Sequence, residues 1–156
     1  MKAVVLDNVR SVHNVGSIFR TANAAGIERI FLCGITPTPL DVKGRKRSDF
    51  AKAALGAEET IVWEHFTSTV SCLQKLQQEK YFIIAIEQDE KSVDYKTVKT
   101  VANENCAFVI GAEVEGISKD ALDCSDVIAE IPMLGSKESL NVTIAFGVAL
   151  YRILGI

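Results

Sequence analysis

Cys106-Ala107-Phe108-Val109-Ile110 runs without a break into Gly111-Ala112-Glu113-Val114-Glu115-Gly116-Ile117. Five consecutive apolar residues lack the alternation of a half-exposed strand and are too few for a helix. They read as a strand buried on both faces, followed by a glycine-bounded turn. Tyr81 to Ile86 is a second run of the same kind. A strand with two covered faces belongs to a parallel sheet, because parallel neighbours need crossover connections and the crossovers lie over the faces.

Working outward from these runs, the chain alternates between strand-like and helix-like segments. Lys2 to Leu6, Arg29 to Cys33, Thr60 to Trp63 and Val127 to Ile131 read as further strands. From Asn14 to Ala25 the apolar residues Val15, Ile18, Phe19 and Ala22 share one helical face, and Gly26 follows as a stop. Phe50 to Leu55 reads as a short helix stopped by Gly56. Thr67 to Glu79 reads as a helix with Val70, Leu73 and Leu76 inward. Lys119 to Leu122 is a turn of helix after the cap candidate Ser118. The alternation predicts an α/β fold, a mostly parallel sheet with helices on both faces. The 156 residues fit one domain, and no linker, repeat or low-complexity segment divides them.

The last helical segment, Leu140 to Leu154, departs from the pattern. Val142, Ile144, Ala145, Phe146, Val148, Ala149, Leu150, Ile153 and Leu154 spread around its circumference. A surface helix needs one apolar stripe. A second buried face is therefore expected, and a partner subunit would supply it.

Composition narrows the function. The hydrophobic share is 48%, the charged share 24% and the net charge −3, so any nucleic-acid binding needs a local basic patch. No apolar run reaches the ~18 residues of a membrane span, and the N-terminus lacks the pattern of a secretory signal. Cys33, Cys72, Cys106 and Cys124 are scattered, and His13 and His65 are far apart. No metal site is expected, and four lone thiols suit a reducing, cytoplasmic setting.

Ligands of open α/β sheets bind beyond the carboxyl ends of the strands. Three segments occupy such places. The first runs from Asp7 to Thr21, with Asn14 where a helix begins and Arg20 in its second turn; a helix cap and a solvated arginine are the structural alternatives. The second is Gly111 to Ile117, whose glycines allow close backbone approach. It matches neither GxGxxG nor GxxxxGK. The third, Ile131-Pro132-Met133-Leu134-Gly135-Ser136-Lys137-Glu138-Ser139-Leu140-Asn141-Val142, leads into the last helix. Ser139 and Asn141 are candidate caps, and the apolar stretch Ile131 to Leu134 suits the flat slot of an adenine ring.

In this order the three segments resemble the SpoU (TrmH-type) family of RNA ribose 2′-O-methyltransferases within the SPOUT superfamily. The resemblance covers nearly the whole chain. It implies a C-terminal trefoil knot, S-adenosyl-L-methionine (SAM, AdoMet) as methyl donor, and a homodimer through the C-terminal helix. It also implies site residues. Gly111, Gly116, Ile131, Met133 and Leu140 would hold SAM, with Glu87 lining the same pocket. Arg20, Asn14, Glu113, Ser139 and Asn141 would carry the chemistry. The basic run Lys43, Arg45, Lys46 and Arg47, with Lys52, Arg10 and His13, is the expected RNA-binding patch.

A ribose 2′-OH is a poor nucleophile, so its proton must be removed during in-line methyl transfer. Arginine, with a pKa above ~12, is a poor base. Arg20 is therefore expected to clamp the target phosphate through its planar fork, with the phosphate assisting the proton's departure. The alternative is a site that lowers the arginine pKa. The absence of RNA-binding extensions at either end leads to the expectation of tRNA over rRNA as substrate. The rival reading is a non-catalytic RNA-binding or assembly module with the same fold.

Overall fold

A computed structural model of the chain describes residues 1–99 and 104–156. The strands are β1 (Lys2–Asp7), β2 (Arg29–Cys33), β3 (Val62–Phe66), β4 (Phe82–Ile86), β5 (Val93–Asp94), β6 (Cys106–Gly111) and β7 (Val127–Glu130). They form one sheet in the order β3-β2-β1-β6-β4-β7-β5, and every pairing is parallel. The helices are α1 (Val12–Ala24), α2 (Ser48–Ala54), α3 (Ala57–Thr60), α4 (Thr69–Gln78), α5 (Lys119–Asp123) and α6 (Val142–Leu154).

The two-residue period of the strands divides the core. Val4, Leu6, Ile30, Leu32, Phe108 and Ile110 face α1, α2, α3 and α6. Ala3, Val5, Phe31, Val109 and Ala107 face α4 and α5. The central strands β1 and β6 are thus apolar on both sides, as the uninterrupted run at 106–110 requires. On the first face, Phe19 of α1 meets Phe50 of α2 edge-to-face at 5.2 Å. Burying each ring contributes about 1.5–3 kcal/mol.

Several boundaries differ from expectation, each for a local reason. Ser11, not Asn14, caps α1: its side chain accepts from the Asn14 backbone N–H. Leu55 adopts a left-handed φ of 50° that ends α2, and Gly56, expected only as a stop, caps the start of a further short helix, α3. Helix α3 takes Thr60, and β3 begins only at Val62. In α4 the inward face is Cys72, Leu73 and Leu76, and Val70 is only partly covered. The two-residue strand β5 is too short to leave a periodic signal.

The C-terminal segment is held to the β4–β5 region from two places. Gln88 donates through Nε2 to the Glu138 carbonyl at 2.9 Å. Arg152 donates to the Lys96 carbonyl at 3.3 Å. With β7 between β4 and β5, the chain after β7 lies beyond the carboxyl ends of β4 and β6, where the three singled-out segments meet.

Candidate active site

Strand β1 delivers a carboxylate to the centre of the sheet's carboxyl edge. Asp7 is 1% exposed. Its Oδ1 accepts from Thr69 Oγ1 at 2.5 Å and Asn8 Nδ2 at 2.9 Å, and its Oδ2 accepts from Ser118 N and Oγ, both at 2.8 Å. Four donors discharge the cost of burying the charge. Ser118 therefore does not cap α5 with its side chain; its hydroxyl serves Asp7, which anchors the chain just past Gly116-Ile117.

The first and second segments are joined by Glu113. Its Oε1 accepts from Ser11 N at 3.0 Å and Asn14 Nδ2 at 2.9 Å, and its Oε2 accepts from Arg10 N at 3.1 Å. Arg10 also pairs with Glu115 at 2.7 Å. Helix α1 has no acidic residue in its own first turn. Glu113 supplies that negative charge from 99 residues away and satisfies amides ahead of the helix. Burial by itself would raise the Glu113 pKa, but the Arg10 N–H, the Asn14 amide and the other donors outweigh it and hold the carboxyl below its usual range.

The glycines of the second segment are close-approach positions. A Cβ on Gly111 would collide with the Gly116 and Ile117 backbone. Gly116 has a φ of 71°, and a Cβ there would strike the Glu87 carboxylate. The backbone folds back on itself through Ala112 N to Gly116 O (3.1 Å) and Gly116 N to Ala112 O (3.0 Å). Glu87 then accepts from Ile117 N at 3.0 Å and from Gln88 N at 2.8 Å. These glycines let the chain approach itself, and the resulting turn forms a wall.

Two adjoining cavities open against that wall. One, of about 180 Å³, is lined by Glu87, Gly111, Glu113, Gly116, Ser139 and Leu140 together with Ile86, Ile110, Ala112, Val114, Val142 and Ala145. The other, of about 110 Å³, is lined by Ile131, Met133, Ser139 and Leu140 with Ile86, Glu87, Gln88 and Ala145. Ile86, Glu87, Ser139, Leu140 and Ala145 are common to both. All six residues expected to hold a cofactor line this space, as do Glu113 and Ser139. Expectation missed Ile86, Gln88, Ile110, Ala112, Val114, Val142 and Ala145, although Ile86 and Gln88 flank Glu87 at the end of an apolar strand and could have been read from it. The space combines an apolar slot with carboxylates, a hydroxyl and turn backbone. It can take a flat heterocycle at one end and a polar or cationic group near Glu87 and Glu113.

The remaining expected residues are placed differently. Asn141 caps α6, accepting from Thr143 N at 2.9 Å and Thr143 Oγ1 at 2.6 Å, and it lines neither cavity. Arg20 is exposed on α1, and its side chain makes no hydrogen bond or ion pair among the described residues. His13 is exposed on the first turn of the same helix.

The basic loop is largely neutralised. Arg45 pairs with Asp41 at 2.8 Å, Lys46 with Glu59 at 2.6 Å and Arg47 with Asp49 at 2.9 Å. Hydrogen bonds from Arg45 hold Asp41, and those from Arg47 hold Asp49, below the usual carboxylate range. Lys43 and Lys52 have no acidic partner among the described residues. Among the described residues no group of three or more His, Cys, Asp or Glu is placed to hold a metal ion, and no helix is long and apolar enough to cross a membrane.

The model of the SpoU rRNA Methylase family matches residues 1–151. The 23S rRNA (guanosine-2′-O-)-methyltransferase RlmB of Ralstonia nicotianae is 36% identical over 153 residues, covering 96% of this chain and 56% of that protein. RlmB of Escherichia coli is 30% identical over 149 residues, covering 96% of this chain and 58% of that protein. The chain thus spans little more than half the length of these relatives. An AdoMet-bound rRNA methyltransferase from Sinorhizobium meliloti superposes with a TM-score of 0.86 at 28% identity, covering 97% of this chain and 55% of that one. The α/β architecture with its C-terminal knot, implied by the resemblance, is the fold shared with this structure. One expectation is overturned. Both relatives are rRNA enzymes, so the preference for tRNA over rRNA does not stand. It rested on the shortness of the chain's ends, which carries no substrate information. On the motif order, the site geometry and these matches, the chain belongs to the SpoU rRNA methylase family.

Proposed function

We propose that residues 1–156 form one methyltransferase domain that transfers a methyl group from AdoMet to a ribose 2′-OH of RNA, with rRNA as the substrate class. The observation that carries this is the convergence of the second and third segments on two adjoining cavities, with the first segment tied to their wall through the Asn14–Glu113 hydrogen bond. AdoMet, when bound, supplies an electrophilic sulfonium methyl. The residues present fit it: Ile86, Ile131, Met133, Leu140 and Ala145 offer an apolar slot, and the turn at 111–116 offers backbone beside the carboxylates of Glu87 and Glu113.

The chain's own contribution is positioning. The bond between Asn14 and Glu113 fixes the start of α1 against the cavity wall, and α1 carries Arg20. An arginine with no internal partner is available to grip a phosphate of the target nucleotide in a bidentate fork. Ser139 is exposed and lines both cavities, which supports a role in accepting or relaying a hydroxyl proton. Asn141 acts through the helix cap, setting the end of the segment that bears Ser139 and Leu140. His13, Lys43 and Lys52 are the exposed groups left to position RNA, and Arg10 joins them only by releasing Glu115.

The apolar stripe Ile144, Val148 and Tyr151 on α6 is exposed, with Leu140 one turn ahead of it. This supports a homodimer through α6. The four free cysteines suit a reducing, cytoplasmic setting.

The test is incubation with labelled AdoMet and rRNA, followed by mapping of the label. Transfer to a ribose 2′-oxygen is expected, and Arg20→Lys should lower turnover at least tenfold because a point charge cannot replace the fork. AdoMet binding without transfer to rRNA would favour the non-catalytic module. Near-full turnover in Arg20→Lys would sink the phosphate clamp.

A further inference from the structure

The turn that walls the two cavities is held from both flanks, and one of the two holds lies outside the site. In the sheet, β6 runs between β1 and β4. Asp7, the last residue of β1, is in register with Gly111, the last residue of β6. On the other flank β4 pairs Ala85 with Val109, so Glu87, two residues on, stands at the level of Gly111 as well. Two carboxylates therefore bracket the end of β6. The chain leaves Gly111, turns through residues 112–116 and comes back over it, so that a Cβ on Gly111 would collide with the Gly116 carbonyl carbon and the Ile117 nitrogen. The next two amides then go to opposite flanks. Ile117 N donates to Glu87 Oε2 at 3.0 Å. Ser118 N donates to Asp7 Oδ2 at 2.8 Å, and the Ser118 hydroxyl donates to the same oxygen at 2.8 Å.

Glu87 and Gly116 line the larger cavity, whereas Asp7, Ile117 and Ser118 line neither. Asp7 therefore reaches the cofactor space only through the backbone at 117–118. A segment tied at one flank can pivot about that tie, and the residue it would carry is Gly116, whose positive φ and close approach to Glu87 leave no other path for the chain. A carboxylate is the group this place requires. Thr69 Oγ1 and Asn8 Nδ2 donate to one oxygen, and Ser118 donates twice to the other. An asparagine of the same shape would turn its own NH₂ onto either the Ser118 N–H or the Asn8 amide. We propose that Asp7 is a positioning residue for AdoMet: with Glu87 it clamps the amides of Ile117 and Ser118 across the end of β6, and so fixes the Gly116 wall of a space it does not touch. The proposal rests on the methyltransferase reading above and adds to it a residue that sets cofactor affinity from outside the cavity.

Two measurements on the full chain test this. The first is amide hydrogen exchange without AdoMet. Asp7→Asn should speed exchange at positions 117 and 118 about tenfold relative to Val109 in the middle of β6. The second is calorimetric titration with AdoMet. Asp7→Asn should weaken binding about tenfold, because a charge-assisted bond is replaced by a repulsion. Ser118→Ala removes one of the two bonds to Asp7 Oδ2 and should weaken binding about threefold, while Ser118→Thr, which keeps the hydroxyl, should bind as the parent does. The Ser118 pair carries the test if Asp7→Asn does not fold. Phe50→Leu, at the ring contact between α1 and α2, is the control for lost stability alone: it should lower the unfolding midpoint and change AdoMet affinity by less than about twofold. Unaltered exchange at 117 and 118, equal AdoMet affinity in the parent and Ser118→Ala, or an equal loss in Phe50→Leu would each overturn the proposal. A parent that binds no AdoMet but loses protection at 117 and 118 in Asp7→Asn removes the methyltransferase reading and leaves the clamp standing. A parent that binds AdoMet with an affinity indifferent to Asp7 and Ser118 removes this role alone.

Discussion

Glu113 shows how one side chain serves structure and site together. Three donors from the 10–14 segment converge on it, and its folded pKa lies below the ordinary glutamate value of 4.5. A depressed pKa means that the ionised form is bound more tightly in the folded chain than in the unfolded one. The stabilisation is fully present above the unfolded value and is lost as pH falls through the folded one. Glu113→Gln should therefore unfold at lower urea concentration than the parent above about pH 4.5, and the gap should narrow as the pH is lowered further. A gap that persists at low pH would show that the carboxylate's charge is not what holds the arm. Asp7, named only as the start of the first segment, anchors the site from the end of β1. A carboxylate ending the apolar AVVL run of β1 was itself a signal, since a buried charge demands partners.

At the scale of elements, α6 carries the most information. Its over-apolar composition was readable from residue types alone. Its cap was not, because Ser139 and Asn141 are equally good cap residues on paper. The structure selects Asn141, which bonds to Thr143. Asn141→Ala should cost about 1 kcal/mol in denaturant unfolding and lower activity through the displaced 139–141 segment. Unchanged stability would argue against the cap. The exposed stripe on the same helix gives a second prediction. Val148→Glu, at a side chain 39% exposed, would bury a charge in a dimer but leave a monomer almost unaffected. Sedimentation of the variant should show a smaller species, and an unchanged oligomeric state would place the interface elsewhere. The errors at α3 and β3 had a single origin. Leu55 takes the left-handed conformation usually left to glycine, so the break fell one residue earlier than Gly56 implied.

For the whole molecule, the net charge of −3 required a local basic surface for RNA, and the run at 43–47 was the evident candidate. The fold pairs Arg45, Lys46 and Arg47 with acidic neighbours, which leaves Lys43 and Lys52 as the cations there without an acidic partner among the described residues. Lys43→Glu with Lys52→Glu should weaken RNA binding and flatten its dependence on salt by about one to two in the log–log slope, with AdoMet binding intact. An unaltered slope would move the phosphate contacts to Arg10 and His13. The sequence by itself determined the parallel sheet, the helices on both faces and the identity of the three motifs, because those follow from residue type and period along the chain. Only the tertiary structure decided that Asn14 meets Glu113 and that Glu87 supports the Gly116 turn. Hydrogen bonds and ion pairs act over about 3 Å of space, and separations of that size between residues 30 to 100 positions apart are set by the packing of the elements.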